Sequence, residues 1–456
     1  MSKLLWEVIH RSVTGPVMPE ETFETELFPN ALASLQAKYR LEWDPAEPVM
    51  TDPAMADAVF EAGRALLLEV GLYCKSTRRI VRFTEQEIDQ AVSSARHEVT
   101  IGRDRQAITI RPRAPGDAQH PYTFFPAGSL GVDLETYKYY ARSVMQEATC
   151  DGVIPVPLYA VDKLKNVADT PSSTFVCLTE ARVMHEAAMW AGKPGLWFGI
   201  PMSATTPMTL MSTFASGLYD RHNCTLPVQI LQDMRIDYDR LNLAFFAEQQ
   251  GLEPWMSSCP AMYAYLTGPE QAAMEIIAHT LAMLAYSGGA VTQAMSVTID
   301  GTYCGNDIFW CNSAAALAAE RNLKLPWITF GSGGIPVVMS DDAWYATAIA
   351  CISACISGME GLWLAGGQGH TGIESRWAGE ITRAASRLTP HEGAEIIRKI
   401  RKRISGAKPD PAQMNLPFSS FYDMQTLNPK PELLAHYRKF TRIFRDLGLD
   451  YPTWEA

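Results

Sequence analysis

The sequence predicts an α/β protein built on a (β/α)8 barrel, a TIM barrel, with a helical N-terminal extension and a helical C-terminal tail. Three observations carry that prediction. Short runs of β-forming residues recur after residue 150: 153–158, 174–178, 195–200, 227–231, 255–259, 290–295, 327–330 and 361–365. The stretches between them are helical in pattern, and two of them, Gly268 to Tyr286 and Ser340 to Ile356, are long, Ala-rich and apolar on one face. Glycine-rich turns follow the last two runs. Alternating strands and helices over this length suit a closed barrel, with an open doubly wound sheet as the rival; both place chemistry at the carboxyl ends of the strands.

The organisation read along the chain is residues 1–150 as a helical extension with a small β excursion, 151–387 as the barrel and 388–456 as helices packed outside it. In the extension, Asp52 to Val70 carries Met55, Val59, Phe60, Leu66 and Leu67 at helical spacing, and Gly71 is placed to cap it. Thr84-Glu85-Gln86-Glu87 reads as a capping box: the Thr hydroxyl takes an orphan N–H while Glu87 reaches back. Residues 99–125 alternate apolar and polar but carry Pro112, Pro115 and Pro121, which predicts a hairpin or irregular excursion. The basic stretches of the tail, Arg398-Lys399 and Arg401-Lys402-Arg403, read as a solvated face.

Composition narrows the function. The chain has 456 residues and a formal charge of −11, which argues against nucleic acid, whose binding requires a basic face. No uninterrupted apolar stretch reaches the length of about 20 residues needed to span a membrane, and the N-terminus meets Glu7 and His10 too soon for a secretory signal, so a cytoplasmic location is expected. Nine scattered cysteines without C-x-x-C, and nine dispersed histidines, predict small buried hydrophobes rather than a metal centre, so no metal ligands are assigned.

The strand tips supply the candidate site. Glu180 follows the second run, Met202 and Ser203 the third, Gln232 and Asp233 the fourth, Cys259 and Pro260 the fifth. Glu270 comes in the next loop or early helix, and Asp300 lies near the sixth run. Gly331, Gly333 and Gly334, then Gly366, Gly367, Gln368 and His370, follow the last two. Paired glycine turns there can hold a phosphate through backbone N–H groups, or simply make tight turns. Aromatics cluster nearby, including Trp197, Trp255, Trp327, Phe330 and Trp363; most are expected in the core, but two or three facing Glu270 or Asp233 would suit a methylated ammonium by cation–π attraction. No Ser-His-Asp order, Walker lysine, nicotinamide fingerprint or kinase motif stands in a convincing context, which points to chemistry supplied by a cofactor.

Three stretches resemble the monomethylamine methyltransferases. They are Phe60-Glu61-Ala62-Gly63 through Val70-Gly71-Leu72-Tyr73-Cys74 to Arg79-Ile80-Val81-Arg82-Phe83-Thr84, then His370-Thr371-Gly372-Ile373-Glu374-Ser375-Arg376 with Gly379-Glu380, and Phe421-Tyr422-Asp423 with Asn428-Pro429 and Asp446-Leu447-Gly448-Leu449. The resemblance implies a TIM barrel, a cognate corrinoid (cobalamin) protein docking over its mouth, and a symmetric homo-oligomer, with a hexamer as one candidate size. It places the family's pyrrolysine near Ala215, an ordinary residue, and an acidic pocket residue at or beside Glu270. Alanine cannot form an adduct with an amine. The expected substrate is therefore a small methylated compound such as a quaternary or other N-methylated amine, with the methyl moving to Co(I) of the corrinoid protein. Glu270 and Asp233 are the expected charge-balancing catalytic groups. Trp197, Ala215, Gln232, Trp327, Phe330, Gln368 and His370 are expected near the substrate, and Gly331, Gly333, Gly334 and Gly367 near a cofactor. The alternatives are a lyase or decarboxylase with a phosphate-bearing cofactor on those glycine turns, or a non-catalytic descendant.

Overall fold

The computed structural model describes residues 3–301, 305–331, 338–364, 369–406 and 416–454. Its centre is a seven-stranded sheet. In chain order the strands are β1 (Tyr122–Ala127), β2 (Gly152–Pro155), β3 (Leu226–Gln229), β4 (Pro254–Ser258), β5 (Val291–Ala294), β6 (Trp327–Gly331) and β7 (Gly361–Leu364). They lie in the order β2-β1-β7-β6-β5-β4-β3, and every pairing is parallel. Parallel strands need helical crossovers, and these cover the outer face.

The two edge strands, β2 and β3, do not face open water. The extended segment 195–200 runs between them: Val153 N donates to Trp197 O at 2.9 Å, Phe198 N to Asn223 O at 2.7 Å, and Thr225 N to Gly199 O at 2.7 Å. Its residues therefore take backbone hydrogen bonds on both sides, as a strand would.

Two expectations are corrected here. Thr174–Leu178 is not a strand but part of the helix Pro171–Trp190, started by Pro171 at its first turn, with Val176, Cys177, Glu180, Ala181 and Met184 buried on one face. Tyr122–Ala127, read as irregular because of its prolines, is instead β1 at the middle of the sheet, so the sheet draws on residues before 150. Pro121 precedes the strand and Pro126 lies near its end, so neither interrupts its first half. The hairpin expectation does hold for 99–110: Val99–Ile101 pairs antiparallel with Ile108–Ile110. It closes the amino-terminal end of the sheet, with Gly102 N donating to His222 O and Arg103 N to Gly195 O.

Residue parity sorts the core. Phe124, Ile154, Trp197, Trp255, Val291 and Ile328 form an inner cluster with the hairpin's Val99, Ile101 and Ile110. Trp197 packs 4.9 Å from Phe124 and 5.5 Å from Trp255 between ring centroids. The alternate residues, among them Phe125, Val153, Phe198, Val228, Met256 and Leu362, join the larger cluster formed with the surrounding helices.

The N-terminal extension buttresses this sheet. Helix Pro53–Val70, ended at Gly71 as expected and started by an Asp52 cap on Ala54 N, packs on helix Pro269–Ser287 at Gly63. The strand Leu72–Cys74 pairs antiparallel with Arg79–Val81 and parallel with Arg235–Ile236, which belongs to the loop after β3. The capping boxes at Thr84/Glu87 and Thr371/Glu374 are both formed. In the tail, Tyr437 Oη, Thr453 Oγ1 and Trp454 Nε1 converge on the Glu380 carboxylate at 2.6, 2.9 and 2.8 Å, and Tyr422 Oη accepts from Ile373 N at 2.8 Å. The motifs carrying the family resemblance are thus largely fold-holding residues. Among the described residues no helix is long and apolar enough to cross a membrane.

A Cβ on Gly63 would stand 2.6 Å from Ile277 Cβ and 2.7 Å from Met274 O. Gly63→Ala is therefore expected to lower stability by about 1–3 kcal/mol through overpacking, read as a lower denaturant midpoint with an unchanged slope.

Candidate active site

The register identifies which polar side chains face inward. Gln229 aligns with Ser257, Ser257 with Gln293, and Gln293 with Ile328 of the inner cluster. Registered partners in parallel strands point to one face. Gln229, Ser257 and Gln293 each stand two residues beyond Pro227, Trp255 and Val291, toward the carboxyl ends, where an apolar floor gives way to a polar rim. Ser257 Oγ donates to Gln293 Oε1 at 2.5 Å, and Gln293 Nε2, buried, has no partner. An unpaired buried N–H costs about 1–3 kcal/mol, which a ligand acceptor atom placed there would recover. Beneath them the indole N–H groups of Trp197 and Trp255 are also unpartnered.

Two clefts open over this rim and meet at Gln229, which is exposed, and Arg240. One, of about 640 Å³, runs past Ile200, Met202, Thr205, Pro227 and Leu243. The other, of about 380 Å³, is lined by Lys75, Gln232, Asp233, Ser257 and Cys259. Gln232 Nε2 donates to Cys259 O at 3.0 Å, joining the tips of β3 and β4. Asp233 adopts a left-handed backbone at φ 60° and Met234 at φ 53°. Burial, reinforced by the nearby Glu275 carboxylate and opposed by Arg235, pushes the Asp233 carboxyl up to about 6. The Cys259 thiol is pushed up to about 12 by burial and stays protonated.

Behind the other cleft, the buried Glu180 organises the rim loops from helix Pro171–Trp190. Met202 N donates to it at 3.2 Å and Ser203 Oγ pairs with it. Ser203 in turn accepts from Leu158 N at 2.8 Å, while Asn166 Nδ2 donates to Leu158 O and Ser203 O. Glu180 is fully buried, and desolvation raises its carboxyl to about 8.

The structure brings together only part of the site expected from sequence. Gln232 and Asp233 line one cleft, and Trp197 lies in the inner floor. Glu270 instead lies in the first turn of helix Pro269–Ser287 and accepts from Trp43 N at 3.0 Å, tying down the N-terminal extension. Trp327 begins β6, so it sits at the amino-terminal end, and its side chain packs outward among the helices. Ala215 is exposed at the end of helix Pro207–Ala215, about 12 Å along its axis from the start that borders the larger cleft. His370, after β7, is held by Ser375 Oγ at 2.8 Å and kept neutral by burial, with its value lowered to about 4. Phe330 and Gly331 end β6; Gly333, Gly334, Gly366, Gly367 and Gln368 lie outside the described residues. Sequence reasoning missed Gln229, Ser257 and Gln293. Their signal was a polar residue at the last inward position of strands otherwise buried and apolar.

Glu180 titrates above its unfolded value, so the proton it keeps stabilises the fold fully below about pH 4.5, and that stabilisation is lost as pH rises toward about 8. Glu180→Gln is expected to flatten the decline in unfolding free energy between pH 5 and 8, removing a slope of at most about 1.4 kcal/mol per pH unit. Denaturant titrations across that range check this; an unchanged slope would contradict it.

Comparison with known proteins agrees with this architecture. A family model described as Monomethylamine methyltransferase MtmB matches residues 4–449. Monomethylamine methyltransferase MtmB1 of Methanosarcina acetivorans is 26% identical, over 97% of this chain and 98% of its own length. Monomethylamine methyltransferase MtmB of Methanosarcina mazei is 25% identical with the same coverage. The crystal structure of the Methanosarcina barkeri monomethylamine methyltransferase superposes with a TM-score of 0.89 at 21% identity, covering 98% of each chain, and so shares the fold. With the match extending over nearly its whole length, the chain belongs to the monomethylamine methyltransferase MtmB family.

Proposed function

We propose that this protein is a corrinoid-dependent methyltransferase, moving a methyl group from a small N-methylated ammonium compound to a reduced corrinoid carried by a partner protein. The observation that carries the reading is the rim itself. A carboxylate (Asp233) and an exposed amide (Gln229) line clefts at the carboxyl ends of the strands, above an aromatic floor, and an unpaired buried amide donor (Gln293 Nε2) lies behind the cleft-lining Ser257. The reading takes the ring as a closed eight-membered barrel, with segment 195–200 as its third member; the hydrogen bonds on both sides of that segment support this.

The donor set favours a betaine-like substrate. Asp233, ionised above about pH 6, balances an ammonium. Gln293 Nε2 offers a hydrogen bond to an acceptor oxygen elsewhere on the same molecule, and the exposed Lys75 in the same cleft offers a cation to a carboxylate. Among the described residues lining the two clefts, none is an electrophile that could capture an amine covalently, so the methyl donor must already carry a good leaving group. An ammonium nitrogen does, departing as a neutral amine with the bonding electron pair.

The corrinoid supplies, when its carrier docks, the nucleophile that receives the methyl group. The chain's own residues bind, orient and desolvate the donor, aligning the N–CH3 bond toward the mouth. Exposed apolar side chains in the connections after the strands, Tyr159, Leu164, Met208 and Tyr265, support coverage by a partner protein. Free thiols at the described cysteines support a reducing, cytoplasmic setting.

Transfer to free cob(I)alamin, followed by loss of its absorbance, is expected with zwitterionic and quaternary N-methyl compounds and weakest with monomethylamine. Asp233→Asn is expected to lower kcat/KM for cationic donors about tenfold. No transfer from any N-methylated compound, or monomethylamine as the best donor, would overturn the reading.

A further inference from the structure

We propose that the buried chain Ser258–His279–Glu275 is the positioning device for the rim loop that carries Gln232 and Asp233. The proposal rests on the methyltransferase reading only for what the loop is positioned to do. Ser258 is the last residue of β4, and its side chain points outward, toward helix Pro269–Ser287. Glu275 and His279 stand one turn apart on that helix, so their side chains share a face. All three are fully buried.

The contacts form one line. Ser258 Oγ and His279 Nδ1 are 2.9 Å apart, His279 Nε2 lies 2.9 Å from Glu275 Oε1, and that same oxygen accepts from Asp233 N at 2.7 Å. The serine hydroxyl donating to Nδ1 and Nε2–H donating to the carboxylate pairs the three side chains, and Met234 N, 3.4 Å from the same Nε2, brings the loop backbone against the histidine as well. The residue order is that of a nucleophilic triad, but Ser258 is fully buried and turned toward the helix, on the face away from both clefts, so it is not placed to meet a substrate there. What remains is mechanical and electrostatic. The line runs from the tip of β4 to the backbone of the loop after β3.

That loop needs such a hold. Asp233 and Met234 are consecutive non-glycine residues in the left-handed region, a conformation costing about 1–3 kcal/mol each unless the surroundings over-determine it. The N-terminal strand Leu72–Cys74 clamps the far side, with Tyr73 N donating to Met234 O and Lys75 N to Ile236 O, both at 2.9 Å. Glu275 clamps the near side. Its second oxygen has no partner. A buried carboxylate left half-satisfied is dearer than an apolar filler, so its retention asks for a role beyond packing. The titratable and charged groups facing Asp233 are Glu275 and His279 from the helix, Arg235 from its own loop, and Glu24 from the N-terminal extension. Glu275 therefore holds the Asp233 backbone and, second to burial, raises the pH at which the Asp233 carboxyl ionises.

Four proteins test this: the intact enzyme, Glu275→Gln, which keeps an acceptor for Asp233 N but loses the charge, Ser258→Ala, a small change at the far end, and Asp233→Asn as the reference for assignment. The Asp233 carboxyl is titrated directly by carbon NMR on aspartate-labelled protein, with Asp233→Asn assigning its signal. In Glu275→Gln its midpoint is expected to fall by at least half a unit, roughly a threefold change in acidity. The acid limb of kcat/KM should move with it. Ser258→Ala should raise KM about threefold or more while leaving the unfolding midpoint within about 2 °C. A carboxyl midpoint that does not move in Glu275→Gln overturns the proposal. So do an unchanged KM in Ser258→Ala and, should Glu275→Gln fail to fold, a carboxyl in the intact enzyme that titrates at the ordinary aspartate value. The NMR titration reads the device even where no methyl transfer is found, so failure of the functional reading is seen separately.

Discussion

The hydrogen bonding of segment 195–200 to both edge strands is the constraint on which the rest of the structure depends. A parallel sheet of seven strands leaves two rows of unpaired backbone groups, and leaving such groups unpaired in a buried setting is costly. Val153, Phe198 and Thr225 donate across that gap. On the inner face Trp197 of that segment stacks on Trp255 and meets Phe124 edge to face. The pairing also aligns the strand tips on one rim, which is where the polar residues stand.

From that rim outward, the molecule is organised to fix loops rather than to present a reactive nucleophile. Glu180, raised to about 8 by burial, gathers Met202, Ser203 and, through Ser203, Leu158 and Asn166. The N-terminal extension does the same for the loop after β3 through Leu72–Cys74. Glu270, tied to Trp43, holds that extension against the helix carrying Glu275 and His279. Buried carboxylates therefore serve as loop anchors on two sides of the mouth, and between them Gln293 Nε2 stays unpartnered behind the cleft-lining Ser257.

Much of the fold was legible because its cues are local. Capping residues at Gly71 and Thr84 and the long apolar helices were read within a residue or two. The errors came where local pattern and tertiary role part. Thr174–Leu178 is β-forming in composition, but Pro171 starts a helix whose buried face takes those residues. Tyr122–Ala127 has its strand pattern masked by flanking prolines that the neighbouring strands tolerate. The site was less legible still. Asp233 and Gln232 could be placed from their position after a strand, but nothing local says that Trp327 starts its strand, that Ala215 ends a helix, or that Glu270 faces a tryptophan backbone. The trio Gln229, Ser257 and Gln293 becomes visible only when register shows that three separate strands turn the same parity inward.

The central claim is that this polar rim holds a methylated ammonium with its cation toward Asp233 and its acceptor atoms toward Gln293. A crystal structure with glycine betaine bound tests it most directly. The account predicts density over the Ser257–Gln293 pair, with Asp233 the nearest carboxylate to the trimethylammonium group and an oxygen of the ligand on Gln293 Nε2. Betaine bound elsewhere on the chain, or bound on the rim with its carboxylate against Asp233, would contradict it.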